Sequence, residues 1–122
     1  MVSKREQRPF RIKRGDTLGF LQLTLGAPAI GEPETLEDAT VRFLLKRVGD
    51  NQTAVVGTAT VVDAAERIVR YEWQPGDTDV PGYYYAEFEV TYPATESEPE
   101  RVRTYPTGPE NRLMVVVEPD LG

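Results

Sequence analysis

Asp77 and Asp79 stand two residues apart in the segment PGDTDVPG, flanked by the chain's single tryptophan, Trp73, and by three consecutive tyrosines, Tyr83, Tyr84 and Tyr85. Two chemistries are open to such a set. Paired carboxylates can contribute to a calcium site, which takes six or more oxygen ligands. Aromatic rings beside acidic groups can form the floor and rim of a binding site. No third acidic residue sits at a local spacing that would complete calcium coordination, so the pair is read as a turn, with Asp77 and Thr78 bonding backbone amides. The 122-residue chain contains neither Cys nor His. That removes disulfides, thiolate nucleophiles, zinc ligation by imidazole, and Ser-His triads. Catalysis would fall to carboxylates, Lys or Tyr alone, and no nucleophile stands with a base, nor is there a phosphate-binding Gly-rich loop. The expectation is a chain that is not an enzyme, with no catalytic residues, no cofactor and no metal.

The elements that must position these residues are legible as period-two rows, which strands with one buried face produce. Phe10 and Ile12 alternate with Arg11 and Lys13, and Leu21, Leu23 and Leu25 with Gln22 and Thr24. Val41, Phe43 and Leu45 form a row, as do Val69, Tyr71 and Trp73. Tyr84, Ala86, Phe88 and Val90 follow, then Val102 with Thr104, and last Leu113, Val115 and Val117. The ten Pro and ten Gly fall mostly between the rows, where turns need them. GDNQ at 49–52 reads as a hairpin tip, DAAER at 63–67 as a turn, and TESEPE at 95–100 as a polar loop. Residues 26–39 lack periodicity and read as a long connection plugged by Leu36. RGD at 14–16, with Thr17, reads as the turn between the first two strands rather than an adhesion motif. The pattern predicts one all-β domain over residues 9–122, an immunoglobulin-like β-sandwich of seven to nine antiparallel strands.

In such a sandwich Gly82-Tyr83-Tyr84-Tyr85-Ala86 has the spacing of a tyrosine corner, in which the Tyr84 hydroxyl bonds back to the preceding loop. Tyr84 and Trp73 are then core, and most of the aromatic floor is absorbed by packing. Tyr83 and Tyr85 face the other way. With Tyr105 they would form the outward platform of a carbohydrate- or host-surface-binding module, the alternative to a purely structural role.

Charge is unevenly spread. Residues 1–14 carry six basic groups against one acidic, Glu6, whereas residues 15–122 carry eight against nineteen. A basic arm over residues 1–8, without apolar periodicity, is expected to be mobile. It leads into a first, edge strand whose outward face adds Arg11 and Lys13. Lys4, Arg5, Arg8, Arg11 and Lys13 are therefore candidate contacts to an acidic partner, including another copy of the chain. The acidic body repels phosphate, so no nucleic-acid partner is expected. No apolar run approaches the ~18 residues of a membrane span, and the N-terminus leads into no apolar signal region. A soluble product made in a cytoplasm, without a membrane partner, is expected.

FRIKRGDTL, LEDATVRF, VRYEWQPGDTDVPGYYYAEFEVTYP, RTYP and LMVVVEPDL occur in that order across most of the chain. Together they resemble the immunoglobulin-like domain at the N-terminus of tailed-phage baseplate upper proteins, also encoded alone as small phage virion proteins. Tyr71–Phe88 is the most specific part of the likeness. The resemblance implies a virion structural protein, present in multiple copies and attached to other virion proteins of tail, baseplate, neck or capsid, with no catalytic residues. Because the chain stops at Gly122, a small self-contained accessory or joining protein is the expected form. Arg67 stands where the pattern has Gly, and predicts a turn that avoids positive φ.

Overall fold

The computed structural model describes residues 9–106 and 112–119. The expected mobile arm, with Lys4, Arg5 and Arg8, lies outside the described residues. Every regular element described is a strand: β1 (Phe10–Lys13), β2 (Phe20–Thr24), β3 (Thr40–Arg47), β4 (Thr53–Asp63), β5 (Ile68–Glu72), β6 (Gly82–Tyr92), β7 (Arg101–Tyr105) and β8 (Leu113–Glu118). The order across the sheet is β1-β8-β6-β3-β4-β5-β2, with β7 also paired to β6.

The pairings are mixed, which corrects the expectation of antiparallel strands throughout. β1 runs parallel to β8, with Phe10 opposite Val115 and Ile12 opposite Val117; the other pairs are antiparallel. β1 and β8 lie far apart in the chain, and nothing local in a period-two row encodes the direction of its neighbour. β6 is the hub. On one side β3 pairs with its residues 84–91, while β8 occupies residues 82–86 of the other side and β7 residues 88–92.

The sheet folds back on itself at β4, whose first half pairs with β3 and whose second half pairs with β5. Gly57 makes this possible. It sits opposite Phe43, and a Cβ there would lie 2.5 Å from the ring of Tyr71. With no Cβ in the way, the Tyr71 ring passes over β4 and stacks on Phe43, centroids 4.0 Å apart and planes 6° from parallel. Trp73 and Phe88 then pack edge-on against Phe43 at 5.8 and 5.4 Å. This aromatic centre joins the apolar rows of β2, β3, β5, β6 and β8 into one core that also takes in Leu36, the plug of the 26–39 connection.

The row expected on β7 is inverted. Val102 is exposed, whereas Tyr105 is buried and Arg101 and Arg103 share its inward parity. The physical reason is a buried carboxylate beneath β7, which demands donors where a core-facing strand ordinarily places apolar groups.

Candidate functional site

Three clusters of polar and aromatic side chains have a definite geometry. The first is centred on Glu32, from the aperiodic connection between β2 and β3. Its side chain is 6% exposed, so its charge survives only if the lost water contacts are replaced. Five groups replace them. The Ala29 amide donates at 2.9 Å, the Tyr92 hydroxyl at 2.6 Å, the Tyr105 hydroxyl at 2.7 Å, Arg67 at 3.2 Å and Arg103 at 2.9 Å. Burial alone would raise the Glu32 pKa. Hydrogen bonds from Tyr92, the Ala29 amide, Tyr105 and Arg67 outweigh it and hold the carboxyl down at about 2. Burial, then the bond to Glu32, pushes the Tyr105 phenol up to about 12; Tyr92 is raised for the same reasons.

Arg67 is the second half of this centre. It is buried, and its guanidinium also donates to the carbonyls of Gly26 and Pro33 at 3.1 and 3.2 Å and to the Tyr105 hydroxyl at 2.8 Å. Its φ is 60°, so the turn before β5 does enter the left-handed region that the sequence reading had it avoid. Backbone strain there, of order 1–3 kcal/mol, is tolerated because the guanidinium ties the β2–β3 connection to β6 and β7. As chemistry, the cluster is a clamp. A carboxylate surrounded by five donors and held at about 2 has neither a free lone pair nor the basicity for proton transfer near neutrality.

The second cluster absorbs both Gly-Asp-Thr motifs. The Gly15 amide donates to the Thr78 carbonyl at 3.0 Å, and the fully buried Thr78 donates its hydroxyl to the Asp16 carbonyl at 2.9 Å. RGDT and GDTD therefore dock on one another and lock the β1–β2 turn to the β5–β6 loop. Asp77 accepts from the Gln74 amide at 2.8 Å and from the Tyr71 hydroxyl at 2.6 Å. It fixes the turn as expected, and it also fixes the ring at the middle of the core. Burial and the bond to Asp77 raise the Tyr71 pKa. The tyrosine corner is present: Tyr84 donates to the Val80 carbonyl at 2.6 Å. Among the described residues, no group of three acidic side chains is placed to hold a metal ion.

The third cluster is the outward face of β1, β8, β6, β3 and the first half of β4. Arg11 pairs with Glu118 at 3.2 Å, Lys46 with Glu87 at 3.2 Å and Arg42 with Glu89 at 2.8 Å. Lys13 is exposed beside them on the edge strand. Tyr83 protrudes at 60% exposure. Tyr85 is half-buried, with the Arg112 guanidinium 4.5 Å above its ring. Tyr105 does not belong to this face; at 4% exposure, with its hydroxyl on Glu32, it cannot serve an outward platform. The candidate contacts thus separate into Arg11, Lys13, Tyr83 and Tyr85, which share this surface, and Tyr105, which does not.

The Glu32 cluster escapes sequence reading. Its members come from the 26–39 connection, the turn before β5, β6 and β7, and no local spacing relates them. The one available signal was Arg67 in a position that favours Gly: a long cation held at positive φ has to be held by something.

No known family model matches this chain, and no curated protein matches it significantly.

Proposed function

We propose that this chain is a non-catalytic attachment module of immunoglobulin-like architecture, a structural protein of a tailed-phage virion that acts through contacts with other virion proteins. The observation that carries the reading is the construction of the Tyr71–Phe88 stretch, the most specific part of the resemblance. Three of its side chains make fold-building bonds, Tyr71 to Asp77, Thr78 to Asp16 and Tyr84 to Val80, and Trp73 is packed in the core. A motif spent on rigidity suits a module whose task is to hold position. The pairing order supports the sandwich reading. On that reading β1, β8, β7, β6, β3 and the first half of β4 make one layer and β2, β5 and the second half of β4 the other, with β1 parallel to the last strand. The inward meeting of Phe43 with Tyr71 supplies the interlayer contact.

A glycan-binding role is the weaker reading, since it loses Tyr105 to the core and one face of Tyr85 to Arg112. The test is direct. Tailed particles purified from a host strain that carries the gene are analysed by mass spectrometry and by labelling with antibody to this chain. Stoichiometric presence at one site on the particle is expected. Intact particles that lack the chain would overturn the proposal, as would glycan binding abolished by Tyr83→Ala.

A further inference from the structure

Registers across the outer face place its side chains in rows. Val116 lies beside Tyr83, Met114 beside Tyr85, and Leu44 between Glu87 and Val56. The rows leave an apolar stripe running obliquely over four strands. Leu44 and Val116 point outward yet are 9% and 6% exposed, covered by their neighbours, while Val56 and Tyr83 stand proud at 57% and 60%. Two hollows flank the Tyr83–Tyr85 ridge. One, of about 200 Å³, is bounded by Lys46, Tyr85, Glu87 and Arg112; the other, of about 440 Å³, by Arg11, Tyr83, Val116 and Glu118. A surface that carries both a ridge and a hollow can meet its own copy across a two-fold axis, ridge to hollow.

Charge selects the occupant. Residues 26–39, 63–67 and 93–100 hold nine acidic residues against one basic residue, Arg67. The three segments meet at one end of the molecule, where Leu36 bonds Ala64 and Arg101 bonds Gly31. Two copies brought together at that end repel. On the outer face, by contrast, Arg11, Lys13, Arg42, Lys46 and Arg112 are interspersed with Glu87, Glu89 and Glu118. An acidic chain can approach its own copy there against far less like-sign repulsion, since each carboxylate of the face is already paired with a cation of the same chain and an antiparallel arrangement points the acidic ends apart.

We infer that this face is an isologous, antiparallel pairing surface for a second copy, with Tyr83 of each protomer seated in the partner's hollow between Lys46 and Arg112. The inference deepens the attachment reading and rests on it only for the setting in which copies meet. Four strands paired over five to eight residues and about 4.8 Å apart give a footprint on the order of 500 Å² per copy. That is at the small end of the interface scale, so pairing of free protein is expected to be weak, with Kd between about 1 μM and 1 mM. Copies held side by side on a particle would pair far more completely.

Sedimentation equilibrium and amide chemical shifts of the purified chain, recorded over a concentration series up to about 1 mM, test it. The wild type should show a monomer–dimer equilibrium, with concentration-dependent shifts confined to the outer strands. Tyr83→Lys and Val56→Glu should each raise Kd by about tenfold or more, with unchanged melting temperature, because both side chains are exposed. Ile30→Ser, at the opposite end, should change nothing. Purely monomeric protein at the top concentration would overturn the inference, as would dimers indifferent to both outer-face variants or abolished by Ile30→Ser. Self-association of free protein and presence on particles are separate readouts, so the two proposals fail separately.

Discussion

Glu32→Gln is the most informative perturbation of this fold, because it keeps the volume of the side chain and removes its charge. In the folded chain the carboxyl is held at about 2, against 4.5 for the unperturbed group. A depressed folded-state pKa contributes stability that is fully present above the unfolded value and is lost as pH falls through the folded one. The window is therefore pH 4.5 down to about 2. At 1.36 kcal/mol per pH unit of difference, the linkage is worth roughly 3 kcal/mol, a large share of a small domain's stability. The substituted amide supplies one acceptor to donors that had two oxygens, and it sets its own NH2 against another of them. Arg67 is then a buried cation without a counter-ion. Breaking a buried pair from one side costs about 3–5 kcal/mol, so Glu32→Gln should be destabilised by that amount at pH 7. Urea titrations of both proteins from pH 7 to pH 2.5 provide the measurement. Other carboxylates titrate in both, so the difference between the two curves isolates Glu32, and it should shrink by most of about 3 kcal/mol across the window. Parallel profiles would refute the assignment of Glu32 as an ionised clamp.

Four further outcomes follow from the packing. Trp73→Ala should cost about 3–5 kcal/mol, since the indole is buried against Phe10, Phe43 and Tyr71; a variant that melts normally would remove Trp73 from the core. Gly57→Ala forces a Cβ into the Tyr71 ring and should cost about 1–3 kcal/mol by overpacking, with partial recovery in Gly57→Ala/Tyr71→Leu; equal stability of Gly57→Ala and wild type would contradict the close approach. Tyr84→Phe removes the bond to the Val80 carbonyl and should lower stability by about 0.5–1.5 kcal/mol in chemical denaturation, with no change if the corner is ornamental. Calcium or a chelator should leave the melting temperature unmoved, because Asp77 already bonds Tyr71 and Gln74; a saturable rise of several degrees would restore the metal reading.

What could be read from the residues alone was whatever repeats at the period of a strand. The rows Val41–Phe43–Leu45, Val69–Tyr71–Trp73 and Tyr84–Ala86–Phe88 face inward as their alternation demands, because a strand has only two faces and one of them must be dry. The Gly82–Ala86 corner and the turn at 49–52 were legible for a related reason: their chemistry is complete within a few residues; of the turn at 63–67 only the place was legible, since Arg67 holds its positive φ through partners 34 to 41 residues away. The parallel pairing of β1 with β8, the passage of Tyr71 over Gly57, and the docking of the two Gly-Asp-Thr turns were decided only in three dimensions, since each depends on partners brought together by the whole fold. β7 shows the limit most plainly. Its alternation suggested Val102 and Thr104 inward, yet Arg103 and Tyr105 turn inward instead, drawn by a carboxylate 71 and 73 residues away. A buried charge imposes a demand on its surroundings that outweighs the hydrophobic period of a five-residue strand, and that demand becomes visible only when Glu32 and its donors share one space.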